Sequence, residues 1–339
     1  MWCLEMERVS MDNIYYSIYK LLSYDYLWNM IIGERGNGKT YGVKKMFINN
    51  FIKHNRQFVW IRRYETEFDD FEEFFSDIIK NNEFPDHEFS VKGKKLYCDK
   101  KLMGFGIPLS KGITKKSVNY SGVTDICFDE FLIPKGSNYH YLNNEVFRLF
   151  DLYETIARLR RVKVYMLANS ISQNNPYFRE FNIKLKGQFN KINKQLIVEV
   201  TNTEEYREVK KMSDFAELVK GTGYDKYAID NEFIEDNYNF IAKKSEASIN
   251  RFNIKFDKVI LGIWVDAKEG KLYVSRKYNP EAPMYCITVD HLQPNYLILK
   301  SNSHYMDMLK NAYTYGFIYY EDIKLKGYME NVQKYLNIK

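Results

Sequence analysis

The chain has 339 residues, which sets two domains as the soft expectation. Its 45% hydrophobic, 17% aromatic and 28% charged residues exclude wholesale disorder and allow a sizeable core. The net charge of +6 lies entirely in residues 1–200, which carry 30 Lys/Arg against 24 Asp/Glu; residues 201–339 balance at 20 and 20. A basic first half suggests a polyanionic partner, although an ordinary solvated surface explains it equally well. No apolar run of 18 residues occurs, so no membrane span is expected, and the opening residues lack the pattern of a secretory signal. Cys3, Cys98, Cys127 and Cys286 are widely spaced, which argues against a zinc site or a disulfide framework and fits a reducing cytoplasm.

In chain order, Leu27 to Ile32 is a short apolar run ending in Gly33, and it predicts a buried strand. A glycine-bearing turn follows, then a helix from Lys39 to about Asn55 with apolar positions at Val43, Met46, Phe47, Phe51 and Ile52. Gln57 to Arg62 predicts a second strand, and the acidic, aromatic stretch from Glu65 to about Asn81 a helix. Phe89 to Leu109 predicts antiparallel ribbons turning at Gly93 and Gly104. Thr124 to Asp129 is a third apolar strand, Asn143 to Arg160 a helix, and Val162 to Ala168 a fourth strand. Strands alternating with helices imply a parallel sheet covered on both faces, an α/β fold. Residues 1–202 form this first domain. Glu204 to Lys220 is charged and helical, and residues 203–227 are read as a helical linker broken at Gly221 and Gly223. Residues 228–339 form a smaller α/β domain. Its expected strands are Phe240–Ala242, Asn253–Val265, Lys271–Ser275 and Tyr285–Val289, followed by helices near Tyr305–Tyr315 and Ile323–Leu336.

Gly33-Glu34-Arg35-Gly36-Asn37-Gly38-Lys39-Thr40 matches Gly-x4-Gly-Lys-Thr in full, between a predicted strand and a predicted helix. The glycines Gly33, Gly36 and Gly38 let the backbone turn its N–H groups toward phosphate oxygens, and the helix start adds partial positive charge. Lys39 reaches the β and γ phosphates of ATP, and Thr40 offers a hydroxyl to Mg²⁺. Arg35 also lies within reach of phosphate. Asp129-Glu130, at the end of an apolar strand, supplies the other half: Asp129 for the metal and Glu130 as general base on the attacking water. A second carboxylate directly after the first points to hydrolysis. Asn169 ends the next strand, and beside the P-loop strand its amide would orient water. Arg158, Arg160 and Arg161 cluster at a helix end away from their own P-loop and suit delivery into a neighbouring subunit's site.

Several segments together resemble the DNA-packaging ATPases of phi29-type phages. They are Leu22-Ser23-Tyr24-Asp25, the P-loop with its Arg35, Ile61-Arg62-Arg63-Tyr64 and Glu83-Phe84-Pro85-Asp86-His87-Glu88. Phe128-Asp129-Glu130-Phe131, Asn175-Pro176-Tyr177-Phe178 and Gly262-Ile263-Trp264-Val265-Asp266 complete the series. The resemblance runs from about residue 20 to the C-terminus. It implies an additional-strand P-loop ATPase that assembles as a ring, expected to be a pentamer, around double-stranded DNA. It implies an RNase H-like, vestigial C-terminal domain that docks on the portal (connector) and the packaging RNA. It places the protein in the host cytoplasm and transiently at the portal vertex of the procapsid. Arg158 resembles the arginine that acts across the subunit interface, with Arg160 as its rival. Glu65 stands where a basic residue would better suit a DNA-lined channel, and Lys111, Lys115 and Lys116 are candidates for gripping DNA. The activity so implied is an ATP-driven motor that translocates double-stranded viral DNA into a preformed procapsid. Its contacts go mainly to phosphates and weaken steeply with salt. The alternatives are an ATPase-coupled nuclease of the terminase type and a nucleotide-binding assembly adaptor. Asp266 ends an apolar strand, but Asp290, Asp307, Glu321 and Asp322 show no convergent arrangement with it.

Overall fold

A strand in the middle of a parallel sheet is buried on both faces, and Trp28–Gly33 suits that place: all six residues are buried, and the one polar side chain, Asn29, donates to the Tyr26 and Val164 carbonyls. This strand, β1, sits inside a nine-stranded sheet in the computed structural model, which describes residues 14–111, 118–133, 139–170, 173–221, 240–256, 259–299 and 303–336. The other strands of the sheet are β2 (Gln57–Arg62), β3 (Phe89–Lys92), β4 (Lys95–Cys98), β5 (Lys101–Pro108), β6 (Val123–Asp129), β7 (Lys163–Asn169), β8 (Phe189–Lys191) and β9 (Leu196–Val200). Their order is β3-β4-β5-β2-β6-β7-β1-β9-β8. The run from β5 to β9 is parallel throughout, and antiparallel strands close both edges.

Alternate residues of each central strand feed opposite layers. Met30 and Ile32 join a core with Val59, Phe128 and Leu149, while Ile31 faces Phe47, Phe58 and Leu167 on the other side. A fully buried aliphatic or aromatic side chain contributes about 1.5–3 kcal/mol. The helix Lys39–His54 covers one face through Val43, Phe47, Ile48 and Phe51, and the helix Glu145–Ala157 covers the other through Val146, Leu149, Leu152 and Ile156.

Three local expectations change in the first unit. Gly104 lies inside β5 rather than in a turn, where a Cβ would come within 2.8 Å of the Phe58 carbonyl oxygen. The chain reverses instead at Asp99-Lys100, both at positive φ, as a two-residue hairpin loop requires. The Glu65–Asn81 stretch breaks into two 3₁₀ segments, Glu65–Phe68 and Phe71–Phe75, and one short α-helix, Ser76–Lys80. Its aromatics bury at uneven spacing, so no single helical stripe forms. The segment expected as a linker begins with the helix Glu204–Lys211, which packs within the first unit.

The chain divides into two compact units, residues 1–172 with 176–235 and residues 173–175 with 236–339. The second holds a six-stranded sheet of β10 (Ile249–Phe256), β11 (Val259–Asp266), β12 (Lys271–Ser275), β13 (Met284–Cys286), β14 (Tyr296–Ile298) and β15 (Ile318–Tyr320). Its order is β14-β13-β10-β11-β12-β15. The run expected as one strand over 253–265 is two, paired antiparallel with Phe256 opposite Val259. Asp257-Lys258 is the polar break that divides it in the sequence. The expected strand at Phe240–Ala242 is a single bridge from Ile241 to Tyr320. The helices His304–Thr314 and Ile323–Tyr335 contribute Met306, Leu309, Leu325, Met329 and Val332 to this unit's core.

Candidate active site

The P-loop leaves β1 at Gly33 and enters its helix at Lys39. Gly36 and Gly38 adopt φ values of 85° and 89°, which L-residues avoid. At Gly33 a Cβ would lie 1.7 Å from Thr201 Oγ1, so only glycine allows β1 to approach the end of β9. The Lys39 ammonium folds back on its own loop, donating to the Glu34 carbonyl at 2.6 Å and to Asn37 Oδ1 at 3.0 Å. Burial lowers its pKa to about 8, with Glu34 and Asp129 opposing the shift.

Asp129 ends β6, two strands away from β1 and separated from it by β7. Thr40 Oγ1 donates to Asp129 Oδ1 at 3.2 Å. Burial raises the Asp129 pKa, and Arg62 acts against that shift. Glu130 follows at φ 57°, a left-handed turn that carries its side chain out of the sheet to 60% exposure. Asn169 ends β7 directly opposite Gly33, so the condition set for it in the sequence, a strand beside the P-loop strand, is met.

Arg62 was not singled out as a site residue. At the end of β2 its guanidinium pairs with Asp129 Oδ2 at 3.1 Å and with Glu130 Oε2 at 2.9 Å. Its neighbour Arg63 is buried on Glu145, donating to Oε2 at 2.8 Å and Oε1 at 3.0 Å, and it also donates to the Phe131 carbonyl at 2.7 Å. Tyr177 OH donates to the same Glu145 at 2.6 Å. This network ties the turn after Asp129-Glu130 to the helix Glu145–Ala157. The Arg62-Arg63 dipeptide and Tyr177 belong to the sequence segments that carried the resemblance, and adjacent arginines at a strand end were the available signal.

The three arginines after that helix have different surroundings. Arg160 donates to four backbone carbonyls, Ser121 at 2.9 Å, Val123 at 2.7 Å, Tyr120 at 2.9 Å and Ile156 at 2.6 Å. Arg161 pairs with Asp25 at 3.1 Å. Arg158 occupies a strained turn at φ 50° and is exposed next to the fully exposed Leu159. Among the described residues its guanidinium has no ion pair or hydrogen bond, and Glu154, one turn earlier on the helix, does not pair with it.

The P-loop is also held from beyond β9. Arg207 pairs with the buried Glu34 at 2.8 Å, and Thr203 Oγ1 donates to the same carboxylate. Tyr206 OH and Lys210 Nζ both reach the Arg35 carbonyl at 3.2 Å. The Arg35 side chain itself is exposed. Elsewhere, Glu65 takes Lys94 and Lys111 as partners, while Lys115 and Lys116 lie outside the described residues.

In the second unit Asp266 accepts hydrogen bonds from Ser245 Oγ and from the backbone N–H groups of Lys268 and Glu269. Glu321 accepts from Ser275 Oγ and the Arg276 N–H, and Asp322 caps the helix Ile323–Tyr335. These carboxylates are engaged by their own chain. Among the described residues, one His/Cys/Asp/Glu group is tight enough to hold a metal, His87-Cys98-Asp99, and it lies in the first unit.

A model of the podovirus DNA encapsidation protein family matches residues 11–337. The chain belongs to that family. It is 37% identical over 316 residues to the DNA packaging proteins of Bacillus phages PZA and phi29, covering 91% of this chain and 94% of each relative. The structure is similar to a chain of the bacteriophage phi29 viral genome packaging motor assembly, with TM-score 0.78 and 34% identity over 95% of this chain and 99% of that one. It also resembles the N-terminal domain of the DNA packaging ATPase of phi29, with TM-score 0.53 and 39% identity over 57% of this chain and 99% of that domain. The broad function of this protein is therefore ATP-driven packaging of viral DNA, and among its described residues no helix is long and apolar enough to cross a membrane.

Proposed function

We propose that the first unit hydrolyses ATP and that a ring of such units drives double-stranded DNA into a preformed procapsid. The observation that carries this reading is the Thr40–Asp129 contact across the inserted strand β7. It joins a phosphate-cradling loop to a buried acid, with two hard oxygen donors side by side, a donor set that suits Mg²⁺. When bound there, Mg²⁺ would neutralise charge on the phosphates. Lys39 swings from its own loop onto the β and γ phosphates, and Glu130 takes the proton of the attacking water. Arg62 holds the Glu130 carboxylate in an ion pair, so Glu130 leaves that pair to reach the attacking water. Asn169, opposite Gly33, orients the water.

Arg158 is the arginine that crosses to the neighbouring subunit's site. It is exposed and, among the described residues, unpaired, whereas Arg160 is committed to four carbonyls and Arg161 to Asp25. The ring surrounds the DNA as a pentamer, and the chain works in the host cytoplasm and at the portal vertex. The second unit is RNase H-like: three antiparallel strands, β10, β11 and β12, are extended by parallel β13 and β14. It docks on the portal and the packaging RNA. Its engaged carboxylates disfavour the nuclease reading.

The test is ATP turnover by Glu130→Gln. The variant keeps ATP binding within about twofold of the parent and loses turnover by about 10²–10⁴-fold, the range of a general base. Unchanged turnover would remove Glu130 from the chemistry.

A further inference from the structure

The phosphate machinery lies on one side of the P-loop, facing β6 and β7. On its other side the loop carries two tyrosines with no part in that chemistry. Tyr15 packs against Gly38, where a Cβ would sit 3.3 Å from the Tyr15 Cβ. Tyr206 places its hydroxyl over Gly36. The two rings are 5.8 Å apart and tilted by 42°.

Tyr15 is also fixed in place. Its neighbour Tyr16 donates its backbone N–H to the Asn37 carbonyl at 2.8 Å, and the Tyr16 hydroxyl donates to the buried Glu199 at 2.7 Å. A bulky ring so anchored is nevertheless 43% exposed. It lines the upper end of an open cleft, beside Gly36, Gly38, Tyr41 and Gly42, that runs on along the P-loop helix to Lys53 and Arg56. A triphosphate whose γ end lies at Asp129 and Glu130 must send its nucleoside away from them, past the helix start. Tyr15, set against Gly38 and exposed in the cleft beside Gly36 and Gly42, offers a ring next to that helix start.

We infer that Tyr15 is the stacking platform for the base of the bound nucleotide, with Tyr206 bracing its ring. The inference rests on the nucleotide reading of the P-loop. Every base offers a π-face and stacking tolerates any of them, so the platform separates ATP from GTP weakly. With rings 5.8 Å apart, a base cannot lie between the tyrosines as they stand, because two stacking distances of about 3.5 Å exceed that gap. The base therefore stacks on the open face of Tyr15.

Calorimetric titration of the full chain with ATP, GTP and inorganic tripolyphosphate tests this. Removal of one stacking ring costs about 5- to 100-fold in affinity. Tyr15→Leu is expected to weaken ATP and GTP by that factor and to leave tripolyphosphate within about twofold. Tyr15→Phe, which keeps the ring, is expected to bind ATP like the parent. Equal losses for ATP and tripolyphosphate in Tyr15→Leu, or no loss for either, would overturn the platform while leaving the P-loop reading intact. A parent chain that binds neither ATP nor tripolyphosphate would overturn the P-loop reading instead.

Discussion

Single residues of the same type do different work here because of what surrounds them. Lys39 is a lysine whose ammonium is buried, and burial lowers its pKa to about 8. Only the charged form suits a triphosphate. Below about pH 7 the free protein already carries that charge, so Lys39 adds no pH dependence to the affinity for metal-free ATP there. As pH rises through 8, a proton must be taken up on binding, and affinity falls by up to about tenfold per unit. Titration between pH 6.5 and 9.5 checks this, and a flat profile above pH 8.5 would contradict it. Arg158 and Arg160 differ as strongly. Arg160→Ala strips donors from four carbonyls and is expected to cost about 2–4 kcal/mol in urea unfolding, while Arg158→Ala stays within about 0.5 kcal/mol of the parent. Sequence could not separate these two arginines, because a backbone carbonyl leaves no residue-specific signal. Arg62 escaped notice as a site residue for a related reason: its partners, Asp129 and Glu130, are far along the chain, and only the pairing of β2 with β6 brings them together.

Secondary-structure elements carry the second layer of the argument. The P-loop with its strand and helix was legible because the glycines, Lys39 and Thr40 are consecutive and need no partner to be read. The Asp129-Glu130 strand was legible from its apolar run. The edges were not. The hairpin of β8 and β9 was missed, although Leu196-Ile197-Val198 is apolar and Asn193 marks a turn. β9 matters because it flanks β1 and leads into the helix Glu204–Lys211. That helix looks like a linker in sequence, being charged and almost free of apolar positions. Its role lies in polar contacts with the P-loop, which hydrophobic periodicity does not report. Arg207 is the key contact, since the Glu34 side chain it pairs with is fully buried. Arg207→Ala leaves that carboxylate without its cation and is expected to cost about 3 kcal/mol in denaturant unfolding, at the low end for a broken buried pair because Arg207 is partly exposed. The Arg207→Ala, Glu34→Gln double variant recovers part of that loss; a double variant no more stable than Arg207→Ala would contradict the pairing.

At the scale of the whole molecule the basic excess does not sort by unit: residues 1–172 with 176–235 carry 35 Lys/Arg against 33 Asp/Glu, and residues 173–175 with 236–339 carry 15 against 11, so the division of labour rests on the P-loop site and not on net charge. On the proposed function, a site completed by a neighbour's Arg158 would make one chain insufficient for hydrolysis, and the working unit would be the ring. The measurement that tests this most directly is steady-state ATP hydrolysis with double-stranded DNA, using Glu130→Gln and Arg158→Ala subunits separately and mixed. Each variant alone is expected to be inactive. In the mixture, an intact Glu130 in the Arg158→Ala subunit meets an intact Arg158 from its Glu130→Gln neighbour, and turnover returns. A mixture as inactive as its two components would contradict a trans-acting arginine and the ring motor built on it.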